Sequence, residues 1–273
     1  MNRILTALVV LPFLIASILI SSLWWVFVLL AAAAMVLGLW EFYLLAKRLK
    51  LQPDAAAGYV AGAALITIAL QNDPAINLLL VQFVIIALTA AVLIAATLRG
   101  APFEKMIASA GATILGVLYI PLLGSHLVSL RTGFSPTLSA HLLSFFFLIL
   151  MGADAGAYYV GRALGKHKLA PSISPGKTWE GAVGGVVAAL LMAALAHFWF
   201  FRELPLKYIL PLAVIMTVVG IFGDLSESAL KRSAGAKDAA NILPGHGGIL
   251  DRLDSLLFNA PLIYYFARFY FHS

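Results

Sequence analysis

Five of the twelve acidic residues in this 273-residue chain, Asp224, Glu227, Asp238, Asp251 and Asp254, fall between Gly223 and Asp254, together with Lys231, Arg232, Lys237 and Arg252. Asp224, Ser228 and Lys231 are spaced i, i+4, i+7, which puts them on one face of a helix that continues through them. Asp251 and Asp254, at i and i+3, share a face of the last helix in the same way. Gly245-His246-Gly247-Gly248 just ahead of it lets a backbone approach a ligand and offers N–H groups to an anion. The two helices are therefore expected to bring Asp224, Asp251 and Asp254 together. Two carboxylates about 4 Å apart repel by about 4 kcal/mol at an effective dielectric near 20, so such a pocket needs cations. Lysine and arginine can supply them, and oxygen donors in a chain without cysteine suit Mg²⁺. A merely solvated loop of salt bridges requires neither the glycines nor His246.

Two other places carry chemistry. Ser174-Pro175-Gly176-Lys177-Thr178 has the ending of a P-loop, but the position that must be glycine is Pro171, so that assignment fails. What survives is a short basic loop entering a helix, with Lys177 and Thr178 able to meet phosphate and Glu180 in the first turn. A bare helix-entry turn is the bland alternative. Asp154 lies in an apolar helix among Gly152, Ala153, Ala155, Gly156 and Ala157, small residues that let helices approach closely. An acid there costs about 2.5 to 3.5 kcal/mol on insertion scales, so Asp154 is expected to face the site or a partner such as Tyr158. His126, His141, His167, His197 and His272 form no metal-binding spacing.

The elements that position these groups are membrane helices. The chain is 62% hydrophobic and 11% charged, against roughly 25% charged in an ordinary soluble domain. Apolar runs near 4–21, 23–46, 55–71, 75–98, 106–129, 138–160, 179–200, 206–224 and 250–271 are long enough to span, predicting an all-α polytopic protein of about nine helices. The first run resembles a signal peptide, but it passes almost directly into the second, so a retained hairpin is expected. Glu41, inside a span and followed by Lys47, Arg48 and Lys50, is expected at the interface with a cation in reach. Residues 1–135 carry little chemistry, and residues 136–273 carry the polar loops of what is one integral membrane domain. With the N-terminus inside, fourteen of the eighteen Lys and Arg fall on one side. That imbalance places the charged loops in the cytosol and accounts for the net charge of +6 without nucleic acid. An ion-coupled transporter remains an alternative for intramembrane charge, but neither inverted repeats nor matching broken helices are seen.

Ser228-Ala229-Leu230-Lys231-Arg232, four residues, Lys237-Asp238, and then Pro244-Gly245-His246-Gly247-Gly248-Ile249-Leu250-Asp251-Arg252-Leu253-Asp254 resembles the signature of the phosphatidate cytidylyltransferases, or CDP-diacylglycerol synthases. Ser174, Pro175, Lys177, Thr178 and Asp154 are similar to that family as well. The resemblance covers about residues 152–256, with no departure between 228 and 254, and none of it comes from the N-terminal half. It implies conversion of CTP and phosphatidate to CDP-diacylglycerol and pyrophosphate, in a bacterial inner membrane with the site facing the cytosol. It also implies Mg²⁺, a second cation for which K⁺ is the candidate, and a homodimer. Asp224, Asp251 and Asp254 are then catalytic and metal-associated, with Lys231 catalytic beside them. Phosphate and substrate contacts fall to Asp154, Ser174, Lys177, Thr178, Ser228, Arg232, Lys237, Asp238, His246, Gly247, Gly248 and Arg252. A CTP-dependent lipid kinase, which releases CDP, is the enzymatic alternative.

Overall fold

Each apolar run falls on a helix. The computed structural model describes residues 2–71, 73–100, 103–236 and 248–271. In order they form α1 (Asn2–Leu19), α2 (Trp24–Arg48), α3 (Ala55–Ala69), α4 (Pro74–Arg99), α5 (Met106–Val117), α6 (Leu123–Thr132), α7 (Pro136–Leu164), β1 (Lys168–Ala170), β2 (Ser174–Thr178), α8 (Trp179–Trp199), α9 (Leu206–Ser233) and α10 (Leu250–Phe271). A π-helical segment, Leu118–Leu122, joins α5 to α6 around Pro121, whose ring removes a backbone donor. Six helical stretches among the described residues are long and apolar enough to cross a bilayer, and Ala55–Ala69 is apolar but shorter. Large apolar side chains such as Leu79 (66% exposed), Ile86 (68%) and Val183 (62%) face outward on them. Hydrocarbon is the solvent in which that exposure carries no penalty.

By contacts the chain divides into two compact units, one of Met1–Ser139 with Leu230–Leu253 and one of Ala140–Ala229 with Asp254–Ser273. The first unit thus joins the N-terminal helices to the described residues of the stretch 230–253.

In the first unit, helix ends are fixed by short acids. Asp73, ahead of Pro74, accepts from the amides of Ala75 (2.9 Å) and Ile76 (3.1 Å), and Asp54 accepts from Ala57 (3.1 Å). Asp54 also pairs with Arg99, joining α3 to the end of α4. The core between α3, α4 and α5 is Ala61, Leu65, Leu88, Val92, Ala110 and Val117. Arg131 is buried, and its guanidinium donates to the carbonyls of Ser17 (3.1 Å), Ile20 (3.2 Å) and Ser21 (3.4 Å). These are carbonyls at and just past the end of α1, where a cation also complements the helix dipole. Arg131→Met should therefore destabilise the detergent-solubilised protein by about 1.5–3 kcal/mol, the worth of hydrogen bonds from a charged donor. A melting curve unchanged from the parent would contradict this.

In the second unit the expected loop over 174–178 is instead the second strand of an antiparallel hairpin, pairing Lys168 with Thr178 and Ala170 with Ser174. Pro171 lies in its turn, where Ile173 N–H reaches Ala170 O (3.2 Å), and β2 runs straight into α8.

Candidate active site

Small residues set the spacing of the helices around a cavity of the second unit. A Cβ on Gly156 of α7 would lie 2.7 Å from Gly184 O of α8, and one on Gly185 would lie 3.0 Å from Ala153 O. Only hydrogen at these positions permits the backbones to touch, as the small residues around Asp154 implied. Along α9, a Cβ on Gly223 would meet Asp254 O at 2.6 Å, so α9 and α10 are equally close there. A cavity of about 440 Å³ opens among these elements, with Leu150, Ala153, Leu169 and Ile221 on its apolar wall and Asp154, Arg162, Lys177 and Asp224 supplying charge.

Lys177, half-buried on β2, places Nζ 2.7 Å from Asp224 Oδ2. Ser228, one turn along α9, donates to Asp224 Oδ1 (3.3 Å), as the i, i+4 spacing anticipated. Asp254 lies within electrostatic reach of Asp224, Asp154 and Lys177, and its Oδ1 accepts from Ser255 N–H (2.6 Å). Ser174 begins β2. Thr178 lines the same cavity, but its hydroxyl is engaged as the N-cap of α8, accepting from Gly181 N–H (3.1 Å). Tyr158 is not the partner of Asp154; its hydroxyl accepts from Arg162 (3.0 Å). Arg162 was overlooked in the sequence. Asp154, Tyr158 and Arg162 recur every four residues, a spacing that could have drawn attention to it.

The remaining described signature residues belong to the first unit. Lys231 is ion-paired with Asp251, and Asp251 Oδ2 also accepts from Gly248 N–H (2.9 Å). The next two amides of the α10 entry, Ile249 and Leu250, donate to Glu41 (2.8 and 2.7 Å). Consequently the described amides at this helix start, those of Gly248, Ile249 and Leu250, are occupied by the protein's own carboxylates, whereas Gly245, His246 and Gly247 of the expected anion-binding run lie outside the described residues. A Cβ on Gly248 would stand 2.6 Å from Glu41 Oε2, so the glycine admits Glu41. Arg232 donates to Ala236 O (3.3 Å), and Arg252 is exposed. Lys237, Asp238, His246 and Gly247 lie outside the described residues.

Of the three acids expected together, Asp224 and Asp254 belong to the second unit and Asp251 to the first. Asp224 and Asp254 are associated with Asp154 and Lys177, whereas Asp251 is committed to Lys231 and Gly248. Residues i and i+3 differ by about 60° around a helix, enough for each acid to find separate partners. Among the described residues no group of three or more His, Asp or Glu side chains is gathered closely enough to hold a metal ion. Asp224 and Asp254 still fit Mg²⁺, which is commonly held by one or two carboxylates with substrate phosphates and water. Lys177 on Asp224 already marks the place as favourable to a cation.

A model of the cytidylyltransferase family matches residues 1–270. The chain belongs to the cytidylyltransferase family. Among its relatives in that family, a Bacillus subtilis protein named phosphatidate cytidylyltransferase is 42% identical over 158 residues, 57% of each chain. Proteins of the same name from Haemophilus influenzae and Staphylococcus haemolyticus are 44% identical over 134 residues and 46% identical over 123. These alignments take in 48% and 45% of this chain and 46% and 47% of theirs. The chain thus spans about half the length of the curated relatives it matches.

Because α9 meets α10 without room for a methyl group at Gly223, Gly223→Ala should lower turnover by about 10²-fold, the effect of misplacing reacting groups by about 1 Å. A steady-state assay giving the parent's rate would show that this spacing does not matter.

Proposed function

We propose that this chain transfers the cytidylyl group of CTP to phosphatidate, forming CDP-diacylglycerol and releasing pyrophosphate. The observation that carries the reading is the Lys177–Asp224 pair with Asp154 on one partly apolar cavity, and Asp254 within electrostatic reach of all three, in a helical membrane protein. Such a cavity suits an amphiphile whose headgroup is anionic. The relatives' printed names point to the same reaction.

In this reaction an oxygen of the phosphatidate monoester attacks the α-phosphorus of CTP. The bond from that phosphorus to the oxygen bridging the β-phosphorus breaks, and that oxygen leaves as part of pyrophosphate. The monoester loses its second proton near pH 6, about the pKa of a phosphomonoester, so no side chain need act as a strong general base. The absence of a Ser-His-Asp arrangement among the described residues is no objection. The obstacle is repulsion between two anions. Lys177 and Arg162 offset it from the cavity wall, and Lys177 stabilises the charge that accumulates on departing pyrophosphate. Asp224 holds the Lys177 ammonium in place, and Ser228 fixes the orientation of Asp224. Asp224 and Asp254 would hold Mg²⁺, which when bound neutralises triphosphate oxygens as a Lewis acid. Asp154 is assigned to headgroup contact. Lys231 and Asp251 are required for turnover, with Arg232, Lys237 and Arg252 as further phosphate contacts.

The site is proposed to face the cytosol from a bacterial inner membrane, supported by the excess of Lys and Arg on one side. K⁺ as second cation and a homodimer are carried from the resemblance alone. Purified protein given labelled CTP, Mg²⁺ and phosphatidate should yield labelled CDP-diacylglycerol together with pyrophosphate. Release of CDP with a phosphorylated lipid would indicate a kinase, and no chemistry would refute the assignment.

A further inference from the structure

Glu41 is the most completely buried acid among the described residues, at 0% exposure, and it sits in an apolar helix. Its two oxygens do not pair with Lys47, Arg48 or Lys50. They accept from the amides of Ile249 and Leu250, more than two hundred positions away in sequence. A carboxylate inside a span is costly, and an ordinary N-cap supplied from residue 248 or 249 would satisfy these donors without that cost. Glycine and isoleucine at those positions have no side chain able to do so. Glu41 therefore supplies from α2 the cap that the α10 entry lacks, and Gly248 has no side chain because Glu41 fills the space. The third amide, Gly248 N–H, is taken by Asp251, so the two acids together fix the first turn of α10. Glu41 is also within electrostatic reach of both Asp251 and Lys231.

We infer that Glu41 is a positioning residue that holds the α10 entry so that Asp251 and its partner Lys231 stand ready for the reaction. Its importance to catalysis rests on the proposed function; its hold on the α10 amides does not. A helix start pinned by a carboxylate from another helix keeps Asp251 in one place through each turnover. Without it the first turn frays, and Asp251 with it.

The test uses the full-length protein in nanodiscs, with Glu41→Ala, Glu41→Gln, Gly248→Ala and the double variant E41A/G248A. Hydrogen exchange over the peptide 248–254 should accelerate in Glu41→Ala by at least about tenfold, since two bonds to a charged acceptor are lost. Glu41→Gln, which keeps one acceptor oxygen and the side chain's shape, should show a smaller increase and remain folded. With CTP and phosphatidate, kcat should fall about tenfold in Glu41→Ala while KM for CTP stays within about twofold, because ground-state binding of CTP is not what Glu41 supports. Gly248→Ala should also impair turnover, but adding it to Glu41→Ala should cost little more, because both act at one contact. Parental exchange and kcat in Glu41→Ala, or losses that multiply in the double variant, would overturn the inference. Should Glu41→Ala not fold, parental exchange in Glu41→Gln would do the same. A parent protein that makes no CDP-diacylglycerol would instead defeat the proposed function, leaving the exchange result to decide Glu41 on its own.

Discussion

Asp224→Asn is expected to slow formation of CDP-diacylglycerol by about 10²–10³-fold, as when one preorganised electrostatic partner is removed from an active site. The substitution is nearly isosteric, and the amide oxygen can still accept from Ser228. What disappears is the charge that holds Lys177 Nζ at 2.7 Å and a carboxylate donor beside Asp254. Two consequences follow in the same direction. The lysine loses its paired carboxylate and the proposed Mg²⁺ site loses one of its two carboxylates. Single-turnover rates in nanodiscs, with a melting curve as the control for folding, separate lost chemistry from lost structure. A parental rate would remove Asp224 from the site.

Asp251→Asn is expected to bring turnover to background, a loss of about 10³-fold or more, with the membrane domain still folded. Asparagine can accept from Gly248 N–H as Asp251 does, and Glu41 continues to hold Ile249 and Leu250, so the α10 entry keeps its shape. The charge that Asp251 sets opposite Lys231 is lost. If product still forms at the parental rate while the melting temperature is unchanged, Asp251 has no part in the reaction. A joint fall of rate and melting temperature would make its role structural.

The helices were legible because the apolar runs are long, six of them forming stretches able to cross a bilayer among the described residues, and the breaks between them carry turn and cap residues such as Asp73-Pro74. The α9 cluster was legible for a similar reason: Asp224 and Ser228 are four apart, and helical geometry alone brings them together. The partners of Asp251 were not. Spacing tells which face of α10 bears Asp251 and Asp254, but not that Gly248 and Lys231 engage one of them. Glu41 shows the limit most clearly. Its neighbours Lys47, Arg48 and Lys50 offered a local explanation, whereas its actual partners are backbone amides, which carry no mark in a sequence. The hairpin was hidden by composition, since Pro171, Pro175 and Gly176 read as loop; a two-stranded ribbon with free edges tolerates them.

The hairpin that bears Lys177 is tied at both strands' outer ends. Trp179 N–H reaches His167 O (2.9 Å), and the Glu180 carboxylate accepts from the amides of Lys166 (3.1 Å) and His167 (3.2 Å) and meets His167 Nδ1 at 2.6 Å. A lysine carried on so braced a ribbon need not be recruited from a floppy tether when an anion arrives. Its freedom was surrendered once, when the chain folded, rather than at every encounter. Capture of a nucleotide should then respond to ionic strength, which screens attraction, and show no lag from a closing flap.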